Sequence, residues 1–325
     1  MKLEEYKSLE EKENVFARQT IKTISEFDTW YDSISKQDGL IFRGMCEAKW
    51  KIYTSAQREW ITNEYKNKVS YKNKFSYSAF IDMILRNIKQ DTLLQRYFKS
   101  FDVKPNDLLY LCFLQHYSSP TPMLDFTYNK DIALFFATDG IKHCPFRLRK
   151  SISNYFSVYY IDFNEGKNKN EIVHIDTILK GLFDKAKTLK EKHSESNFSL
   201  VENVEETVRW HQQVGDGLEK FSLCFIPSPE KVKIESLSKE SLYWSNPNII
   251  AQEGCLFLYN NDQLPFENFF SNNDTFDITK IHCVDIHKSL AEYIRSKINK
   301  LNNDIYPKFK AIAQQSYDDF RKTLK

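Results

Sequence analysis

The order of the apolar segments is the feature of this sequence that most constrains its fold. Runs whose apolar residues recur every three or four positions, the spacing of amphipathic helices, occupy much of the first half. Short apolar runs rich in β-branched and aromatic residues, which are typical of strands, are concentrated in the second half. This order predicts an α+β fold with a mixed, mainly antiparallel sheet core packed with helices, rather than a regular strand–helix alternation.

Individual segments can be assigned on the same grounds. The predicted strands cover 39–44, 122–127, 154–163, 220–228, 254–260 and 281–287, and the predicted helices cover 78–101, 105–117, 129–140 and the chain from 288 onward. The charged residues 1–20 are predicted to be a helical N-terminal extension. A second charged stretch, near 171–210, is predicted to be a helical insertion.

Composition excludes several classes of function. The chain has only 8 glycines in 325 residues, and neither GxGxxG nor GxxxxGK[ST] occurs, so a glycine-rich phosphate loop is excluded. Lys and Arg (46) nearly balance Asp and Glu (44), so no overall field that attracts nucleic acid or anionic membrane is expected. The apolar runs fall short of the ~20 residues that span a bilayer, and no signal-peptide pattern occurs. We therefore expect a cytoplasmic protein without a membrane partner.

The cysteines and histidines give no metal-binding pattern. The six cysteines are dispersed without a CxxC pair, and the histidines show neither HxH nor HExxH spacing. The sequence therefore predicts no metal site.

Polar residues stand at the joints of the apolar segment "CFLQHYSSPTPMLDFTYNKDIALFFA". Asp125 would cost several kcal/mol to bury unpaired, so we expect it to hold a cation or the imidazole of His116. Thr127 either donates to a ligand or caps the helix that follows. His116 and Tyr117 either line a site or interact with the dipole at a helix C-terminus. Because these four polar groups are flanked by core sequence, we interpret them as part of a site.

Two further positions suit a binding site. Arg43 is predicted to end a strand, and Gly44 lets a backbone approach closely, which suits a diphosphate or a carboxylate. The alternative for Arg43 is a structural salt bridge to a core acid. Gln252 and Glu253 stand before the strand that opens with Gly254, where a carboxylate can orient a sugar hydroxyl or stabilise a developing cation. The alternative is a solvated strand end.

These blocks, in order and spacing, resemble the FRG-domain family, which is named for an F/Y-R-G motif. The second block of that family resembles QHYGxPTRLLDWTxxPxxALFFA. This chain retains Gln115, His116, Tyr117, Pro120, Thr121, Leu124, Asp125, Thr127, Ala133, Leu134, Phe135, Phe136 and Ala137. It departs from the pattern at Ser118, Pro122 and Phe126, where the family has glycine, arginine and tryptophan.

The resemblance covers about residues 20–320 and implies a single FRG domain over 21–325. It also implies a bacterial or phage-associated protein with an antiviral-defence or toxin-like role, and a defence-system partner protein.

A fainter resemblance suggests a mechanism. ADP-ribosyltransferases of the Arg-Ser-Glu type have an aromatic-Arg strand, a Ser/Thr motif that leads into a helix, and a strand that begins with Glu or Gln. Similar places here are Phe42–Arg43, Asp125–Phe126–Thr127 and Gln252–Glu253. The serine-threonine-serine motif has become Asp-Phe-Thr. The resemblance implies an α+β core like that of these enzymes and NAD as a substrate, used by an ADP-ribosyltransferase or an NAD glycohydrolase.

That resemblance also assigns roles. Arg43 would bind the NAD diphosphate or the nicotinamide ribose, and Glu253 would stabilise the oxocarbenium-like centre as nicotinamide leaves. The predicted catalytic residues are therefore Arg43, Glu253, His116 and Asp125, and the predicted substrate-binding residues are Tyr117, Thr127 and Gln252. The acceptor would be a protein or a nucleic acid.

Two other classes of function remain open from the residues. The same pocket would also serve a non-catalytic sensor module that binds a nucleotide or a protein. A nucleic-acid-acting effector is the other alternative, although the sequence has no pair of carboxylates typical of a Mg²⁺-dependent nuclease.

Overall fold

A seven-stranded sheet forms the centre of the protein in the computed structural model, which describes residues 2–65, 75–100, 105–115, 119–142, 151–165, 222–228, 247–271 and 280–301. The strands are β1 (Ala17–Ile21), β2 (Leu40–Met45), β3 (Met123–Thr127), β4 (Tyr155–Asp162), β5 (Leu223–Ile226), β6 (Gly254–Tyr259) and β7 (His282–His287). The helices in the described ranges are α1 (Leu9–Glu13), α2 (Ile24–Ile34), α3 (Ser55–Thr62), α4 (Tyr77–Lys89), α5 (Thr92–Ser100), α6 (Asp107–Gln115), α7 (Lys130–Thr138), α8 (Pro247–Ala251), α9 (Glu267–Ser271) and α10 (Ala291–Leu301).

The sheet confirms the predicted fold class. Its strand order is β1-β7-β4-β2-β3-β6-β5, in which β1 runs parallel to β7 and every other neighbouring pair is antiparallel. The architecture is therefore α+β with a mixed, mainly antiparallel sheet.

Most predicted elements are confirmed, with one helix divided. The six predicted strands correspond to β2–β7, and the helices predicted over 105–117 and 129–140 correspond to α6 and α7. The helix predicted over 78–101 is interrupted between α4 and α5. At the interruption, the Asp91 carboxylate accepts hydrogen bonds from the backbone N–H groups of Leu93 and Leu94, which begins a new helix. The predicted insertion near 171–210 lies outside the described residues.

The N-terminal residues differ from the predicted helical extension. Helix α1 covers only Leu9–Glu13, and Ala17–Ile21 forms the edge strand β1, which pairs along its length with β7. This strand is mostly polar and only partly buried, so it lacks the apolar run by which the other strands were recognisable.

Lys12 binds this N-terminal segment to the sheet. Its side chain is fully buried, and its ammonium group donates to Ser157 Oγ at 2.9 Å and to Asp285 Oδ1 at 2.5 Å. Arg18 pairs with the other oxygen of Asp285 at 2.7 Å. Because removal of one partner from a buried ion pair costs about 3–5 kcal/mol, residues 9–21 are an integral part of the sheet structure.

Residues that alternate along the strands pack in separate cores on the two faces. On one face, two buried clusters lie under α3–α6 and under α2, α7 and α10. On the other face, the N-terminal segment and α9 cover a cluster that includes Ile41, Tyr159 and Phe257.

Gly44 sets how closely helix α7 approaches strand β2. A Cβ atom at this position would lie 1.9 Å from the carbonyl oxygen of Ala133 and 2.7 Å from the backbone nitrogen of Ala137. The close backbone approach expected at Gly44 therefore occurs, but the approaching group is a helix rather than a ligand.

Substitution of the two glycines next to α7 tests this packing. We expect Gly44→Ala to lower the free energy of unfolding by about 3 kcal/mol or more, because the helix backbone must move away from the strand. Gly140 has a positive φ of 70° but no atom within 4 Å of an added Cβ, so Gly140→Asn should cost less than about 1 kcal/mol, since asparagine tolerates this conformation. Urea denaturation measures both changes, and equal losses would contradict the steric explanation.

Candidate functional site

The candidate site opens where strands β2 and β3 separate. The two strands share one register pair, Phe42 with Thr127, whereas β2 continues to pair with β4 as far as Met45. Across the gap, Arg43 Nη1 donates a hydrogen bond of 2.5 Å to the backbone carbonyl oxygen of Asp125. A side chain thus bridges the two strands where their backbones diverge, and a cavity of about 780 Å³ lies beside it.

The cavity brings together four of the predicted site residues. Arg43 comes from β2, Asp125 and Thr127 come from β3, and Gln252 comes from the turn before β6. Glu253 is exposed and is not among the described residues that line the cavity. The predicted residues His116 and Tyr117 lie outside the described part of the chain.

The guanidinium of Arg43 is held without a carboxylate partner. Its Nε atom is buried and has no hydrogen-bond partner within the described residues, and it forms no ion pair there. The guanidinium carbon lies 6.0 Å from the centre of the Phe126 ring, at the outer limit of a cation–π contact. Burial lowers the pKa of the Arg43 guanidinium, which Asp125 opposes and Arg58 reinforces. Arg43 therefore forms no structural salt bridge within the described residues and binds a backbone carbonyl oxygen instead.

Asp125 is oriented by an amide rather than by a cation. Gln115 Nε2 donates to Asp125 Oδ2 at 2.6 Å, and the Thr121 hydroxyl donates in turn to Gln115 Oε1. Asp125 Oδ1 is buried and has no hydrogen-bond partner in the described ranges. An unpaired, buried carboxylate oxygen costs free energy. Asp125, which lines the cavity, therefore keeps one buried acceptor without a partner in the described ranges.

Thr127 and Asn129 hold the joint between β3, α7 and the turn before β6. The Thr127 hydroxyl donates to the carbonyl oxygen of Gln252 at 2.6 Å and accepts from the backbone N–H of Asn129. Asn129, and not Thr127, caps α7, because its Oδ1 accepts from the backbone N–H of Asp131. The Asn129 amide also donates to Glu253 Oε1 at 2.8 Å.

Glu253 therefore takes part in the joint rather than in the cavity wall. It occupies the left-handed region with a φ of 45°, and its carbonyl oxygen accepts from the backbone N–H of Tyr128. Its neighbour Gln252 is the member of the pair that lines the cavity.

Several lining residues were not predicted from the sequence. Arg58, on α3, donates through Nη1 to the carbonyl oxygen of Tyr53 at 2.9 Å and forms no ion pair in the described ranges. Trp50 and Phe136 also line the cavity and are 40% and 41% exposed. A capping box joins Thr54 and Gln57 at the start of α3, so the T-x-x-Q pattern was a signal that could have placed Arg58 on a helix.

The N-terminal residues complete one wall of the cavity. Leu3, Glu4 and Glu5 line it, and the Glu4 carboxylate pairs with Lys51 at 2.7 Å. Immediately after them, the backbone N–H of Tyr6 donates to the carbonyl oxygen of Lys49. The wall is therefore held by both backbone and side-chain bonds.

The described residues contain neither a cluster of metal ligands nor a membrane-spanning helix. That part of the chain contains no group of three or more His, Cys, Asp or Glu side chains arranged to hold a metal ion. It also contains no helix with the length and apolar character needed to cross a bilayer.

Comparison with known families identifies part of the chain. The FRG domain model matches residues 38–144 of the chain, as the resemblance of its sequence blocks predicted. This match includes Arg43, Arg58 and Asp125, whereas Glu4 and Gln252 lie outside it. No curated protein and no solved structure matches the chain. The resemblance to ADP-ribosyltransferases has no support from these comparisons.

The joint at Thr127 can be tested by removing its hydroxyl. We expect Thr127→Val to lower the free energy of unfolding by about 1–3 kcal/mol, because the partly buried Gln252 carbonyl and Asn129 N–H lose their partner. Thr127→Ser keeps the hydroxyl and should lose distinctly less stability. Thermal and urea denaturation compare the two variants, and a valine variant as stable as the serine variant would show that these hydrogen bonds do not hold the joint.

Proposed function

We propose that the cavity binds a nucleotide that carries a diphosphate, and that NAD is the first ligand to test. The observation that carries this proposal is the presence of two arginines, Arg43 and Arg58, in the wall of one cavity without an ion pair to either in the described part of the chain. Guanidinium groups without carboxylate partners favour a bound anion.

Both arginines are anchored in a way that leaves donors for a ligand. Each uses one Nη1 hydrogen bond to a backbone carbonyl, that of Asp125 for Arg43 and that of Tyr53 for Arg58. The Arg58 charge also lowers the pKa of the Arg43 guanidinium, as expected of two cations in the wall of one cavity. A diphosphate between them would relieve their mutual repulsion and accept several charge-assisted hydrogen bonds.

The rest of the cavity suits the aromatic and sugar parts of a nucleotide. Trp50 and Phe136 offer exposed aromatic rings on which a base or a nicotinamide ring can stack. The volume of about 780 Å³ falls within the roughly 300–1,000 Å³ of small-molecule sites. Gln252 and Asp125 add polar groups for the hydroxyl groups of a ribose.

Binding is tested with the arginines themselves. We expect Arg43→Lys and Arg58→Met each to weaken NAD binding about tenfold or more, because charge-assisted hydrogen bonds to phosphate are lost. Isothermal titration calorimetry measures this, with inorganic pyrophosphate as a second probe.

The matched control is Arg86→Met, which removes an exposed arginine of α4 outside the cavity and should leave affinity unchanged. Absence of binding to the folded wild-type protein at millimolar NAD would overturn the proposal. Binding that is equally strong in all four proteins would also overturn it.

Turnover of NAD is a second candidate function, favoured by the unused oxygen of Asp125. In this reaction the bond between nicotinamide and ribose breaks, its electron pair leaves with nicotinamide, and positive charge develops on the ribose. An oriented carboxylate in the cavity would stabilise that charge. Water, a protein or a nucleic acid would then form the new bond to the ribose. Catalytic roles for Glu253 and His116 stay predictions.

Nicotinamide release separates turnover from binding alone. If Asp125 stabilises the charge, Asp125→Asn should reduce the rate of release by about a hundredfold or more while NAD affinity changes little. Glu253→Gln removes the other candidate carboxylate and should reduce the rate much less, since Glu253 lies outside the lining.

The opposite order of effects would assign the catalytic role to Glu253. NAD binding without any nicotinamide release would favour the non-catalytic sensor. A role in antiviral defence, with a partner protein, stays a prediction in either case.

A further inference from the structure

We propose that residues 3–5 form an anionic strap that competes with the phosphates of the ligand for Lys51. This inference rests on the proposed function of the cavity and names the groups that set its affinity for anions. The strap lines the cavity, and so does Lys51. The Lys51 ammonium group forms an ion pair with the Glu4 carboxylate, with an N–O distance of 2.7 Å.

The strap is weakly held at the residues that line the cavity and firmly held just after them. The Glu4 side chain is 74% exposed, and Glu5 forms a looser pair with Lys49 at 3.3 Å. By contrast, the Tyr6 hydroxyl donates to the buried Glu267 carboxylate at 2.6 Å. An exposed ion pair contributes only about 0–1 kcal/mol, so a bound phosphate can displace Glu4 without disturbing the fold from Tyr6 onward.

The charges of the strap predict that it weakens the binding of anions. The cationic lining groups are Arg43, Arg58 and Lys51, and two carboxylates of the strap stand among them. Glu4 neutralises Lys51 and, as a like charge, repels an approaching phosphate. The lysine side chain is only 17% exposed, so its ammonium group stays near the cavity whether the strap or the ligand binds it.

The strap is far in sequence from the other residues that line the cavity, so the sequence did not predict it as part of the site. It precedes the FRG domain match, which begins at residue 38, and a single antiparallel bridge joins Glu5 to Trp50, one of the exposed aromatic residues of the cavity. The strap therefore lies outside the matched residues but lines the same cavity as Arg43 and Arg58.

The experiment measures the dissociation constants of NAD and inorganic pyrophosphate for the wild type and four variants at low salt. Glu4→Gln should bind both probes about two- to fivefold more tightly than the wild type, because Lys51 is released and a repulsive charge is removed. Glu10→Gln makes the same charge change on an exposed residue of α1 outside the cavity and should leave both constants unchanged. Lys51→Met should weaken binding.

The fourth variant, the double substitution Glu4→Gln/Lys51→Met, completes a double-mutant cycle. If Glu4 acts through Lys51, the substitution at Glu4 should produce a clearly smaller gain in the Lys51→Met background, a non-additivity expected of contacting residues. The gain should also shrink at high salt, since the Glu4 carboxylate is exposed and its repulsion of the ligand is screened.

Each contrary result has a separate meaning. An unchanged or weakened affinity in Glu4→Gln, with clear binding to the wild type, would overturn the strap and leave the proposed nucleotide site intact. An equal gain in Glu10→Gln would also overturn it, because the effect would be one of net charge. If neither NAD nor pyrophosphate binds the wild type or the Glu4→Gln protein, both proposals are overturned.

Discussion

The separation of β2 from β3 after one register pair is the constraint on which the candidate site depends. The backbones diverge beyond Phe42. There the Arg43 side chain, rather than the backbone, links the two strands by donating a hydrogen bond to the Asp125 carbonyl oxygen. Since successive residues of a strand face opposite sides of a sheet, β2 performs two tasks at adjacent positions. Gly44 allows α7 to pack at contact distance, and Arg43 stands in the gap next to the cavity.

Charge balance in the cavity follows from this geometry. The Arg43 guanidinium binds a neutral carbonyl oxygen, which does not neutralise its charge. The Arg58 guanidinium binds the carbonyl oxygen of Tyr53 in the same way. Asp125 does not pair directly with Arg43. Gln115 binds one of its carboxylate oxygens, and the other has no hydrogen-bond partner in the described ranges. The wall therefore presents separated positive and negative groups, which suits a ligand that has both phosphates and hydrogen-bond donors.

Six strands and four residues of the cavity wall were predictable from the sequence, but other lining residues were not. Six strands were predictable because each is a buried apolar run, whereas β1 is a mostly polar edge strand that only its pairing with β7 identifies. Arg43, Asp125 and Thr127 stood out as polar residues within core segments. Arg58 and Glu4 did not, because they join the cavity only through the tertiary packing of α3 and the N-terminus. Between Gln252 and Glu253, the geometry of one turn decides which side chain lines the cavity.

A crystal structure of the protein with NAD tests most directly the claim that a diphosphate binds between Arg43 and Arg58. Phosphate oxygens should lie within about 2.7–3.2 Å of both guanidinium groups, and the hydrogen bond from Arg43 to the Asp125 carbonyl oxygen should stay intact. A nucleotide bound elsewhere would contradict the claim, as would one whose phosphates face solvent while both arginines contact only protein.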